Sequence, residues 1–100
     1  MKVEHLNKEK RFVVYEEDDS ASLNYGLRGK TTFFMHTKAP EKLEGKGIGT
    51  ALVEHALAYA KTKGYKIAVL CPFNSRYVRK HPEWYAYYDR EYHQNVPSSK

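Results

Sequence analysis

The chain has 100 residues, 41% of them hydrophobic, enough for one packed core and too many for a disordered chain. The formal net charge is +5, which favours anionic partners without naming one. Cys71 is the only cysteine, so no internal disulfide forms, in keeping with a reducing compartment. No run approaches the roughly 20 apolar residues of a membrane span. The opening Met1-Lys2-Val3-Glu4-His5 lacks the apolar run of a signal peptide. The expectation is a soluble cytoplasmic protein with one domain over residues 1–100, its core at about 11–85 and an aromatic tail at 86–100.

Arg11–Glu16 is short, β-branched and aromatic, and reads as a strand. Glu17-Asp18-Asp19-Ser20 reads as an acidic turn. Leu23, Tyr25 and Leu27 alternate with polar or small residues, the pattern of a strand with one buried face. Arg28-Gly29-Lys30 predicts a hairpin turn, and residues 31–37 a third strand. Short turns between successive strands argue for an antiparallel meander. Pro40 ends it, having no N–H for a sheet ladder.

From Ile48, the positions Ile48, Leu52, Ala56 and Ala60 form the stripe of a helix lying on a sheet, and Gly64 stops it. Residues 67–70 are a continuous apolar run that suits a strand buried on both faces. Residues 74–80 predict a short second helix, broken before His81-Pro82. The order is three strands, helix, strand, helix: an α/β fold with a mixed sheet.

The segment Glu44-Gly45-Lys46-Gly47-Ile48-Gly49-Thr50 carries the chemistry. Its alternating glycines allow close backbone approach and positive φ at the start of a helix. A helix N-terminus offers unpaired N–H groups and partial positive charge, so the segment is a candidate cradle for phosphate. The Gly-Lys-Ser/Thr of a Walker loop is absent. A dinucleotide fingerprint needs G-x-G-x-x-G directly after a strand and an acid about 20 residues on, and neither is present. A third option is a loop that binds the pyrophosphate of coenzyme A.

Here the chain resembles the GNAT superfamily of N-acetyltransferases, whose acetyl-CoA loop opens a helix after a strand with Gln/Arg-x-x-Gly-x-Gly/Ala. Glu44 stands at the Gln/Arg position of that pattern. The likeness is greater to a small subgroup of roughly 100-residue GNAT-like proteins. It is carried by His36-Thr37 before the loop, and by Cys71-Pro72-Phe73 and His81-Pro82-Glu83 after the helix. The resemblance implies a minimal GNAT core: a three-strand antiparallel meander, a helix, a parallel strand and a helix. It implies acetyl-CoA as cosubstrate, with pyrophosphate on the amides of Gly45, Lys46, Gly47, Ile48, Gly49 and Thr50. The pantetheine arm would run past Thr37, Lys38, Phe73, Asn74 and Tyr77.

Each candidate has a plainer alternative. Cys71, at the end of a parallel strand, is either a thiolate nucleophile or base, or a small buried hydrophobe. His36 is either a general base toward an amine or Cys71, or a half-exposed strand histidine. Tyr77 is either a general acid for the leaving thiolate or a tyrosine packed on the sheet. His55 reads as solvated and His81 as a loop residue that caps the chain. No two histidines have ligand spacing, so no metal site is expected. Trp84, Tyr85, Tyr87, Tyr88 and Tyr92 stand among basic residues, and either stack on nucleic acid or cover a sheet edge or subunit contact; packing is the default.

The function expected is acetyl transfer from acetyl-CoA to an amine of unknown identity. The alternatives are a CoA-binding module with little or no transfer and, less favoured, a small nucleic-acid-binding protein. A homodimer is compatible with the truncated sheet.

Overall fold

The computed structural model describes residues 2–16, 19–40 and 47–93. Five strands form one sheet in chain order: β1 (Val3–Leu6), β2 (Arg11–Glu16), β3 (Asp19–Arg28), β4 (Thr31–Lys38) and β5 (Lys66–Val69). The first four pair antiparallel with one another, and β5 runs parallel to β4. Helix α1 (Ile48–Lys63) makes the crossover between β4 and β5, and α2 (Pro72–Lys80) follows. Short 3-10 turns span Asn7–Glu9 and Pro82–Tyr87.

The mixed α/β sheet agrees with the expected fold class, and β1 adds to the expected order. Val3–Leu6 is only four residues long and lacks apolar alternation. It is held through tertiary contacts: the His5 ring stacks on Phe12 at 4.2 Å, meets Tyr59 edge-on and hydrogen-bonds the Tyr25 hydroxyl. Glu17 and Asp18 of the expected acidic turn lie outside the described residues, while Asp19 and Ser20 already pair with β2.

Helix α1 buries Ile48, Leu52, Val53, Ala56, Leu57 and Ala60 against the sheet. Facing them are Phe12 and Val14 of β2, Ala21, Leu23 and Tyr25 of β3, Phe34 of β4, and Ile67 and Val69 of β5. Shortening a fully buried leucine in such a core costs about 2–5 kcal/mol. Gly64 closes the helix at φ 73°, donating to the carbonyls of Ala60 and Lys61, and Tyr65 N–H donates to Ala60 at 2.9 Å. Lys61 and Lys63 complement the negative end of the helix dipole.

Two boundaries shift from expectation. Helix α2 begins at Pro72 rather than Asn74, because the first helical position needs no N–H and welcomes proline's fixed φ. Leu70 falls beyond β5 and is 56% exposed, although its N–H still donates to the Phe34 carbonyl. The tail aromatics pack against the core except for Tyr92, which is exposed. Trp84, Tyr85 and Tyr87 lie against the core, Tyr88 bridges to Ile67, and Tyr92 meets Phe33 edge-on at 4.8 Å.

Candidate active site

The site is shaped by one extra residue in β4. Along β3–β4 the pairs run Leu27↔Thr32, Gly26↔Phe33 and Tyr25↔Phe34, then resume as Asn24↔His36 and Leu23↔Thr37. Met35 is the residue left over, a β-bulge. Paired residues share a face of the sheet. Without the bulge, His36 would follow Thr32 and Phe34 onto the face that carries the helices. With it, Thr37 joins Leu23 on the helix face, and His36 joins Asn24 on the opposite, exposed face. Gly26 accommodates the displaced Met35, whose sulfur would be 3.4 Å from a Cβ there.

Thr37, Cys71 and Asn74 are thereby brought together. The Cys71 thiol donates to Thr37 Oγ1 at 3.5 Å, and the Thr37 hydroxyl donates to Asn74 Oδ1 at 3.2 Å. Cys71 is the N-cap of α2, where a side chain can face the free amides of the second and third helical residues. Burial alone would push the thiol up. The Thr37 hydroxyl and the backbone amides of Asn74 and Phe73 outweigh burial and hold the Cys71 pKa below its ordinary value. Cys71 is thus a nearly buried thiol whose ionised form is stabilised by hydrogen bonds.

A groove of about 240 Å³ lies between the two helices, lined by Thr50 from the first turn of α1 and by Phe73, Arg76, Tyr77, Lys80 and His81 from α2 and its end. Gly49 permits the approach of the two helices: a Cβ there would come within 2.6 Å of Phe73 Cζ. The Arg76 guanidinium stands 5.9 Å from the centre of the Phe73 ring, a cation–π arrangement that holds it at the groove. Gly47 is the N-cap of α1 at φ 74°, a left-handed conformation suited to glycine. Among the described residues no side chain caps this helix, and no acid stands in its first turn, the kind of helix start at which an anion can bind.

The other expected residues are placed as follows. Ile48 is buried in the core, so only its backbone can serve a ligand. Lys38 ends β4, pairs with Ser22 and is exposed. Tyr77 donates to Glu54 Oε2 at 3.0 Å and stacks on His81. Burial and the Glu54 carboxylate raise its pKa to about 12, which makes it a weak acid near neutrality. His55 Nδ1 bonds back to the Ala51 carbonyl on the outside of α1. Gly45 and Lys46 of the glycine segment, with Glu44, lie outside the described residues.

Arg76, Lys80 and the groove-facing role of His81 were not among the expected site residues. Their signal is a helical one: Phe73, Arg76, Tyr77 and Lys80 recur at i, i+3, i+4 and i+7, which places them on one face of α2.

The comparisons with known proteins agree with this architecture. Among curated proteins none matches the sequence. The fold is similar to the solution structure of a GCN5-like candidate N-acetyltransferase from Staphylococcus aureus, with a TM-score of 0.69 over 88% of this chain and 87% of that one, at 20% identity. The family model described as GCN5-related N-acetyl-transferase matches residues 11–88, a span that takes in β2 through α2 and the Cys71 cluster, and the chain belongs to that family.

Proposed function

We propose that the protein is an acetyl-CoA-dependent N-acetyltransferase acting on an amine. The observation that carries the reading is that α2 bears two features: a cationic groove against the first turn of α1 along one face, and a thiol with stabilised ionisation at its N-terminus. The residues present fit a CoA-type ligand. The amides of Gly47 to Thr50 would take pyrophosphate, Arg76 and Lys80 supply positive charge, and Phe73 offers an apolar floor. Acetyl-CoA, when bound, supplies a thioester carbonyl open to nucleophilic attack.

The chain's own groups then divide the work. The first turn of α1 and the groove hold the nucleotide end and orient it, and positioning supplies much of the rate in such transfers. Cys71 holds an ionisable thiol at the inner end, as nucleophile or base. His36 stands on the face opposite the helices, exposed, where it can take a proton from an amine arriving from that side.

Acetyl-CoA should raise the melting temperature, since a ligand at 100 times its Kd adds about 2.7 kcal/mol of stability. No shift at millimolar acetyl-CoA would sink the reading. Thioester turnover with a panel of amines, lost in Cys71→Ala, supports transfer through the thiol, and retained turnover removes Cys71 from the chemistry. A CoA-binding module without transfer is the second reading. It is favoured by the open position of His36 and its pair Asn24, both exposed on the sheet face opposite α1. Binding without turnover on any amine selects it.

A further inference from the structure

Asn74 is fully buried, and its Nδ2 has no hydrogen-bond partner among the described residues. A carboxamide nitrogen left unpaired in a closed interior is costly, so a donor kept there needs an account. Its only bonded end is Oδ1, which accepts from Thr37, and Thr37 in turn accepts from Cys71. The three side chains form a directed row, from S–H to O–H to carbonyl, in which every proton points away from the sulfur. This row suits the neutral thiol.

The row must reverse when the thiol ionises. A thiolate only accepts, and Thr37 has one proton to give. If that proton turns to the sulfur, Asn74 Oδ1 loses its donor, and Thr37 Oγ1 is free to accept. Turning the Asn74 carboxamide about its last torsion brings the idle Nδ2–H to Thr37 Oγ1. Asparagine carries a donor and an acceptor on one planar group, so it serves both states; aspartate or an apolar residue serves at most one.

We propose that Thr37 and Asn74 are positioning residues for Cys71, forming a reversible hydrogen-bond relay in which the Thr37 hydroxyl, keeping its proton, turns to donate a hydrogen bond to the thiolate. The sulfur's own proton leaves to solvent or to a base, and no other bond is made or broken. The direction of the Cys71 shift agrees, with the Thr37 side chain as its leading favourable cause. The charged groups nearest in sequence are His36 and Lys38, which flank Thr37 on β4, and Arg76 on α2, while the favourable causes of the shift are hydrogen bonds. The inference rests on the reading of Cys71 as the reactive group, but its test needs no acetyl-CoA.

The experiment is a pH titration of the Cys71 thiolate, by its ultraviolet absorbance and by alkylation rate with iodoacetamide, with Cys71→Ala as the blank. Thr37→Val keeps the shape and removes the hydroxyl, and its midpoint should rise by about one pH unit. Thr37→Ser restores the hydroxyl and should return the midpoint to the wild-type value. Asn74→Asp keeps the shape, removes the donor and adds negative charge, so its midpoint should rise further than that of Asn74→Ala. If Thr37→Val does not fold, by circular dichroism, the Thr37→Ser and Asn74→Asp midpoints decide. A purely structural role lowers melting temperature without this order. Unchanged midpoints in Asn74→Asp, or a Thr37→Ser midpoint equal to that of Thr37→Val, overturn the relay. Failure of acetyl transfer with the predicted midpoints would overturn only the proposed activity.

Discussion

The N–H of Val69 donates to Nε2 of His93 at 2.8 Å, so an imidazole nitrogen stands where a sixth strand's carbonyl would pair with the outer edge of β5. The neighbouring residues complete the seal. Asp89 N–H donates to the Ile67 carbonyl at 2.8 Å, and the Thr31 hydroxyl donates to Asp89 Oδ2 at 2.5 Å. An exposed edge strand invites pairing with other chains, and this segment blunts it without adding a strand.

An accepting Nε2 carries no proton, so the fold holds His93 neutral. Burial lowers its pKa, opposed by Asp89. Burial also lowers that of His5, with help from Lys10 and Lys63. A histidine depressed in the fold is protonated first in the unfolded chain. Its contribution is therefore full above the unfolded value of about 6.5 and is lost as pH falls below it. The melting temperature should drop from about pH 7 to about pH 5, and less steeply in His93→Gln, whose amide oxygen accepts from Val69 without titrating. Equal slopes in the two proteins would remove His93 from the account.

Gly47 and Gly49 are required for different reasons. Gly47→Ala forces a side chain into left-handed φ with open space around it, and should cost about 1–2 kcal/mol in chemical denaturation. Gly49 has no such φ, and alanine there adds about 0.5–1 kcal/mol of helix preference. Its Cβ displaces the Phe73 ring, so Gly49→Ala should stay within about 1 kcal/mol of wild-type stability while losing CoA affinity by calorimetry. A stable Gly49→Ala protein that binds CoA as well as wild type contradicts the role given to this close approach.

Arg76→Gln and Lys80→Gln should each weaken CoA binding by up to about fivefold, the worth of a solvent-exposed charge contact of about 1 kcal/mol. The loss should shrink as salt rises, since screening already weakens such contacts. Wild-type affinity at low salt in the double variant would exclude this face of α2 from the ligand site.

Deleting Met35 should restore a straight ladder, exchanging His36 and Thr37 between the faces of the sheet. The Cys71 sulfur then loses the Thr37 hydroxyl, and its titration midpoint should rise by about one pH unit. A folded deletion variant that titrates like wild type shows that the bulge does not place Thr37.

Much of this was legible in the chain. The alternation of Leu23, Tyr25 and Leu27, the stripe from Ile48 to Ala60 and the stop at Gly64 are local patterns, and each matches the element observed. Thr37 and Cys71, from the segments His36-Thr37 and Cys71-Pro72-Phe73 singled out in the sequence, meet in the fold through a hydrogen bond. Strand β1 was not legible, because its four residues hold their place through His5 stacking on Phe12, a contact between strands. The groove cations were half legible, as a spacing on α2 whose meaning depends on what that face meets.

The sequence by itself determined β2 to β5, the two helices, the stop at Gly64 and the glycines that lead into α1, because periodicity and φ preference act within a few residues. Tertiary structure alone decided which side chains share a site. Adjacent His36 and Thr37 read alike as candidates, yet one extra residue at Met35 puts Thr37 against Cys71 and sends His36 to the other face. The reason is the period of two in a strand: a one-residue slip inverts every side chain beyond it, and the slip becomes visible only in the pairing with β3.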